Sequence, residues 1–260
     1  MSIQLFNIVE DIDFPYPDQK LKIGVKMSGG LDSASMLYVL CDLKSRGLLH
    51  AESELIPITG INWPRPYQAH FVNKTIDFIN SVFGQNVPYT HEIHGGVDDD
   101  IGDVVNTHIE KMFENRDVDI TYIGETKFLP LDIIKGTKWE HAVTNNTYFG
   151  NTLPFSVILD VTNPENTGYH YEDLYDRIWE RGTDDERVTG SSLAPYKNYH
   201  KGHIKKITDH YGISDKLLEI TRSCEYSNYS RSGKQMMDWE KHCEECLWCV
   251  ERMITYGRCQ

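Results

Sequence analysis

Short apolar runs alternate with amphipathic stretches along the first half of the chain. Lys22–Met27 reads as a strand, Ala34–Arg46 as a helix, Leu55–Gly60 as a strand and Tyr67–Phe83 as a helix. Tyr89–Ile93 then reads as a third strand, Asp98–Glu114 as a helix and Asp119–Gly124 as a fourth strand. Within the second helix Phe71, Ile76, Ile79 and Phe83 recur at roughly helical spacing, which puts them on one face. Strands that alternate with helices predict an α/β fold, a Rossmann-like parallel sheet sandwiched by helices. In such a sheet, ligands bind beyond the carboxyl ends of the strands.

The periodicity is lost over residues 128–195. Breaker clusters at 144–147, 163–166 and 182–185 mark loops, with Tyr171–Trp179 as a short helix between them. This irregular insertion reads equally as a lid, a partner surface or a disordered loop. Helical signal returns at His200–Tyr211, with Gly212 suited to the position just past its end. Ser214 is placed to cap a brief helix over Asp215–Ile220. Residues 1–195, insertion included, are therefore expected to form the α/β domain, and residues 196–260 a helical C-terminal module.

The first strand runs directly into Ser28-Gly29-Gly30-Leu31-Asp32-Ser33 and then into the first helix. Paired glycines let the backbone turn tightly, so that successive N–H groups converge on an anion. The helix adds its own unpaired N–H groups and positive dipole end. Ser28 and Ser33 bring hydroxyl donors, and Asp32 is suited to hold Mg2+ beside phosphates. The plainer reading is a strand–turn–helix whose glycines only make the bend, with Asp32 or Ser33 capping the helix. No Lys-Ser or Lys-Thr pair follows the glycines, so this is not the GxxxxGK[ST] loop of ordinary NTPases.

Composition narrows the partners. The formal net charge of −13 argues against nucleic acid as a broad, sequence-independent partner, which needs clustered Lys and Arg. No run approaches the ~20 consecutive apolar residues of a membrane helix. The first residues carry acids and no basic segment, so no secretory signal is expected and a cytoplasmic location follows by default.

Of the 6 cysteines, Cys224, Cys243, Cys246 and Cys249 crowd the C-terminal end. Cys243, Cys246 and Cys249 form a C-x2-C-x2-C run, whose spacing lets adjacent thiolates reach one ion from a tight turn. Cys224, from a distant segment, would complete a tetrahedron around zinc, with an iron–sulfur cluster as the other metal of this ligand type. Zinc saturated by four thiolates has no open position, so its role would be structural. Cys41, in an apolar helix, reads as core, and Cys259 as a frayed terminal thiol.

Two parts of the chain carry a family resemblance. Ser28–Ser33 resembles the PP-loop of the ATP pyrophosphatase superfamily, whose members cleave ATP to AMP and pyrophosphate. Pro195, Lys201 six positions later, Gly212-Ile213, Thr221-Arg222-Ser223-Cys224 and the cysteine run together resemble the C-terminal half of 7-cyano-7-deazaguanine synthase. That resemblance implies an ATP-dependent ligase. It would adenylate 7-carboxy-7-deazaguanine, let ammonia displace AMP, and activate the amide again to give the nitrile. It implies ATP, Mg2+ and Zn2+ as cofactors, a small-molecule substrate and a homodimer. Carried over by position, Ser28, Gly29, Gly30, Leu31, Asp32 and Ser33 would cradle the pyrophosphate. Lys201 would neutralise its growing charge, and Cys224, Cys243, Cys246 and Cys249 would hold the zinc.

The residues alone leave Lys201 open as a solvated helix lysine among Lys197, Lys205 and Lys206. Arg222 is open between contact with a purine-like ligand or AMP and a surface salt bridge. The match also departs at the pocket loops. Where the family carries Phe-Asp-Tyr-Gly-Gln, a basic residue and His, only Tyr67, Gln68 and His70 echo the pattern. Nearby, Trp63 and Arg65 either stack on a planar heterocycle or pack a Pro-bounded turn. After the fourth strand, Gly124-Glu125-Thr126-Lys127 stands in place of an Arg-Asn pair. These departures keep open adenylation of a different carboxylate or amide, or of a macromolecule including tRNA for thiolation. A non-catalytic nucleotide-binding module is the reading outside enzymes.

Overall fold

Lys22–Lys26 is flanked on both sides by parallel neighbours, and between its two terminal lysines it is apolar and buried. Ile23 and Val25 are fully buried on one face. On the other, a Cβ at Gly24 would stand 2.8 Å from Thr121. A strand covered on both faces is what a parallel sheet requires.

The structure, a computed structural model, describes residues 2–4, 13–15, 19–61, 66–96, 99–126, 147–148, 151–152, 191–196, 199–224, 241–242 and 247–259. Its strands are β1 (Ser2–Gln4), β2 (Asp13–Pro15), β3 (Lys22–Lys26), β4 (Glu54–Ile61), β5 (His91–His94) and β6 (Ile120–Ile123). β7 (Thr147–Tyr148), β8 (Asn151–Thr152) and β9 (Ser191–Leu193) follow. Helices are α1 (Leu31–Ser45), α2 (Gln68–Phe83), α3 (Ile101–Glu114), α4 (Lys201–His210), α5 (Ser214–Ile220) and α6 (Leu247–Tyr256).

The main sheet has five strands in the order β5-β4-β3-β6-β9, all parallel. The chain steps outward from β3 to β4 and β5, then returns to β3's other side for β6. Strand order therefore reverses at β3, and a crevice opens at its carboxyl end. β1–β2 and β7–β8 are separate antiparallel pairs. The α/β architecture expected from the alternating pattern is the one found.

One face of the sheet packs on a core that joins Ile23 and Val25 to Leu37 and Leu40 of α1, and to Val72 and Ile76 of α2. Ile204, Ile207, Leu217 and Ile220 of α4 and α5 belong to the same core, so packing runs through residue 195 without a break. The opposite face carries α3, with Val105, Ile109 and Met112 on Ile58 and Ile93. α1 is enclosed by the sheet on one side and by α4 and α5 on the other. This explains why Met36 through Cys41 are buried without interruption instead of at helical intervals.

Differences from the sequence pattern have local causes. α1 begins at Leu31, three residues before the expected Ala34, with Gly30 at the capping position and no side-chain cap. β9 falls inside the stretch 128–195 expected to be irregular. Its three residues include Ser191 and Ser192, too short and too polar to register as a strand; partners on β6 define it. Tyr171–Trp179, and the rest of that stretch apart from residues 147–148, 151–152 and 191–195, lie outside the described residues. Ser214 opens α5 instead of capping it, and its hydroxyl donates to Asp209 Oδ1 at 2.5 Å. Among the described residues, no helix is long and apolar enough to cross a membrane.

Candidate functional site

The corner after β3 is held in shape mostly by its own atoms. Ser28 N–H donates to Ser33 Oγ at 3.2 Å, Ser33 Oγ–H to the Gly30 carbonyl at 3.1 Å, and Gly30 N–H to Ser28 Oγ at 3.3 Å. Gly29 sits at φ 74°, where a side chain would be strained, and a Cβ there would lie 3.1 Å from the Gln68 carbonyl. Two distant segments brace the turn. Gln68 Nε2 donates to the Ser28 carbonyl at 3.3 Å, and Arg222 N–H donates to the Gly29 carbonyl at 2.8 Å.

Neither Asp32 nor Ser33 caps α1, whose capping position is Gly30. The Asp32 side chain points across the crevice. Its Oδ2 accepts from Lys201 Nζ at 2.5 Å and from Thr126 Oγ1 at 3.0 Å. Its Oδ1 is buried and has no hydrogen-bond partner among the described residues. Lys201 opens α4, where His200 caps the helix by accepting from Gly202 N–H at 3.1 Å. A second carboxylate, Glu251 Oε2 of α6, lies 3.7 Å from Lys201 Nζ. The lysine side chain is 3% exposed, so it is no solvated helix lysine. Burial works against its charge, but Asp32 and then Glu251 outweigh it and hold the ammonium above its ordinary range.

β6 comes close enough to complete the wall. A Cβ on Gly124 would stand 2.7 Å from Ser33 Cα and 2.8 Å from Ser33 N, so only glycine lets this loop lie against the first turn of α1. Thr126 thereby reaches Asp32. Lys26, at the end of β3, sends Nζ to Asn106 Oδ1 at 2.8 Å. Burial lowers its pKa, with Glu125 opposing that shift.

These groups surround a cavity of about 420 Å³. Ile58, Ile101 and Val105 give it an apolar side, and Tyr67, Arg222, Cys224 and Trp248 another wall. The Arg222 guanidinium lies 4.6 Å from the Tyr67 ring centroid, and its Nη1 donates to the Lys241 carbonyl at 2.5 Å. At 2% exposure, Arg222 is not a surface residue. Tyr67 O–H donates to the Cys224 carbonyl. Of the residues echoing the resemblance after β4, Tyr67 and Gln68 are thus buried around the corner, while His70 is exposed. Trp63, Arg65 and Lys127 lie outside the described residues.

The buried oxygen of Asp32 is a hard donor beside a concentration of N–H groups. That set suits Mg2+ with phosphate oxygens. When bound, the ion would neutralise phosphate charge and draw electrons from phosphorus.

Two of the four expected ligands, Cys224 and Cys249, come together, and a thiol from outside the run joins them. Cys224, Cys249 and Cys259 share one buried cluster, with Trp248 and Met253 packed against it. His242, Cys249 and Cys259 offer donor atoms that all lie within 4.8 Å of one another, and Cys249 Sγ is 3.6 Å from His242 Nδ1. Burial, then the Arg252 cation, pushes His242 down to about 3, leaving the neutral imidazole that ligates metals. A nitrogen and two sulfurs suit zinc or another thiophilic ion and do not suit Mg2+. Cys243 and Cys246 lie outside the described residues. Cys259 is not frayed: it is 5% exposed and its thiol donates to the Cys249 carbonyl at 3.4 Å. Cys41 is core as expected, and burial pushes its thiol up to about 12.

Sequence reasoning missed Glu251 and His242, because nothing local in their surroundings marks them, and it placed Gly124 and Thr126 in a pocket loop without assigning either a role. The segment around Cys259 did carry a signal, a glycine two residues before a cysteine at a helix end.

No protein-family model matches the chain, and no curated protein matches it. Among solved structures the chain is similar to the U34-tRNA thiolase NcsA from Methanococcus maripaludis, solved with its 4Fe-4S cluster. The two share 15% identity at a TM-score of 0.43, over 81% of this chain and 62% of the thiolase. The chain thus spans less than two thirds of that protein's length.

Proposed function

We propose that this chain is an ATP-consuming adenylating enzyme of the PP-loop type. One observation carries the reading: the buried Lys201–Asp32 pair set over the Ser28–Ser33 corner, with Asp32 Oδ1 left for a cation. A nucleotide seated there places its β- and γ-phosphates against the N–H groups of the corner and first helical turn. A carboxylate or amide oxygen then forms a bond to the α-phosphorus as the bond from that phosphorus to the bridging oxygen breaks. Pyrophosphate takes the electron pair. Its new charge is what Lys201 and the corner stabilise, and donors already fixed in place need little reorganisation to do so. No protein nucleophile is required, so positioning supplies much of the remaining acceleration.

For the acceptor, the resemblance through Pro195, Lys201 and Thr221–Cys224 supports 7-carboxy-7-deazaguanine, with ammonia as the second nucleophile. The Tyr67–Arg222 stack and Trp248 offer flat surfaces for such a heterocycle. A second reading is favoured by one observation. The loop that carries Arg-Asn in that family here carries Glu125 and Thr126, and Thr126 is committed to Asp32. A different carboxylate or amide, small or macromolecular, then takes the place of the deazaguanine.

The test incubates purified chain with α-labelled ATP, Mg2+, ammonium and 7-carboxy-7-deazaguanine. AMP, pyrophosphate and amide or nitrile are the expected products. ADP as product overturns the adenylation reading. AMP that forms only with other acids or with tRNA overturns the deazaguanine assignment and keeps the chemistry. ATP binding without turnover across all acceptors supports a non-catalytic module instead.

A further inference from the structure

We infer that Cys259 is a metal ligand, joining Cys249 and His242 in one site that fastens the segment after α6 to the wall of the cavity. α6 ends at Tyr256, Gly257 turns the backbone at φ 76°, and its N–H donates to the Met253 carbonyl at 2.9 Å. The turn folds the last residues back along the helix. Cys259 consequently lies beside Cys249, ten residues earlier, with both thiols buried.

His242 supplies the third donor from outside the helix. Three groups from three segments converge within 4.8 Å, in a pocket closed by Trp248 and Met253. Apolar packing alone accounts for two buried thiols, since a thiol behaves as a small apolar group. It does not account for an imidazole nitrogen turned toward a thiol sulfur at 3.6 Å in a half-buried position. One nitrogen and two sulfurs at such separations are ligands of a thiophilic divalent ion, zinc foremost.

The position gives the site a consequence beyond stability. Cys249 is two residues from Glu251, which faces Lys201, and Cys224 of the same cluster lines the cavity. Metal held by Cys259 therefore braces the helix that sets the lysine's second carboxylate. The inference needs neither ATP nor an acceptor, so its outcome is independent of the adenylation reading.

The test compares the full chain with Cys259→Ser. Zinc is titrated against a competing chelator, and Co2+ serves as a spectroscopic probe of thiolate ligation. Removing a direct ligand should weaken metal binding by more than about tenfold, at or beyond the loss seen on removing an outer-shell partner. The thiolate-to-cobalt absorption should fall at the same time. Unchanged affinity together with an unchanged cobalt spectrum overturns the inference. Should the variant misfold, the native chain answers by alkylation mapped by mass. Cys259 should be protected when zinc is bound and labelled after chelation, while Cys41 stays unreactive in both states. Equal labelling of Cys259 in the two states, fast or slow, overturns it.

Discussion

At residues 28–33 six consecutive residues make the corner, and most of its internal hydrogen bonds span five positions or fewer. In the C-terminal cluster, His242, Cys249 and Cys259 come from a loop, a helix and the chain's end, with Cys224 from further off. The corner is prepaid by local backbone geometry and needs only bracing. The thiol cluster has no such local source of order, and thiols and imidazole held this close suggest an ion as the organiser. What separates the two is range in sequence, and Lys201 joins them, with Asp32 on one side and Glu251 on the other.

The largest effect is expected where the two regions meet. Lys201→Met removes the cation between two largely buried carboxylates, and losing one partner of a buried pair costs about 3–5 kcal/mol. AMP formation should fall by about 10²–10³-fold, the range for losing one preorganised donor to a developing charge. Urea melts and single-turnover assays measure the two losses; a variant that keeps full turnover removes Lys201 from the chemistry.

Stripping metal should divide the regions next. After chelation, hydrogen exchange is expected to speed up across α6 and residues 221–224 while β3 and α1 keep their protection. Uniform loss through both would mean that the corner also depends on the ion.

Gly124→Ala acts on the corner alone. Its methyl meets backbone at 2.7 Å, so the loop must move, at about 1–3 kcal/mol for overpacking. KM for ATP should rise while zinc content stays at the native level, as read by steady-state kinetics and metal analysis.

The smallest effect is assigned to Arg258→Ala. Its ion pair with Asp215 is exposed on both sides, and such pairs contribute at most about 1 kcal/mol. Thermal melting should barely shift. A large shift would mean that this pair, not Cys259, holds the tail.

Legibility in the sequence follows the same division. β3, the corner and α1 were readable because glycine, serine and aspartate act on backbone within a few residues of themselves. α4 was readable from its periodicity and from Gly212. The start of α1 was placed three residues late because polar Asp32 and Ser33 look like a cap, when one instead crosses to Lys201 and the other braces the turn. β9 was invisible because three residues with two serines acquire strand character only by pairing with β6. Cys259 looked dispensable because its value lies in a thiol ten residues away, and His242 because a histidine outside a metal-spaced motif has no signature. Gly124 gave no sign of the helix backbone it lies against.

Taken alone, the sequence determined the α/β architecture, the turn at Ser28–Ser33 and the presence of a thiol-rich end. Each of these depends on periodicity or on conformational preferences that act over short range, and those are written in neighbouring residues. Only the tertiary structure decided that Asp32 pairs with Lys201, that Glu251 and Thr126 join them, and that Cys259 meets Cys249 and His242. The pairings around Asp32 and Lys201 rest on burial and electrostatics between segments far apart in the chain, where a charge out of water is stable only beside its opposite. The thiol–imidazole contacts rest on the backbone turn at Gly257.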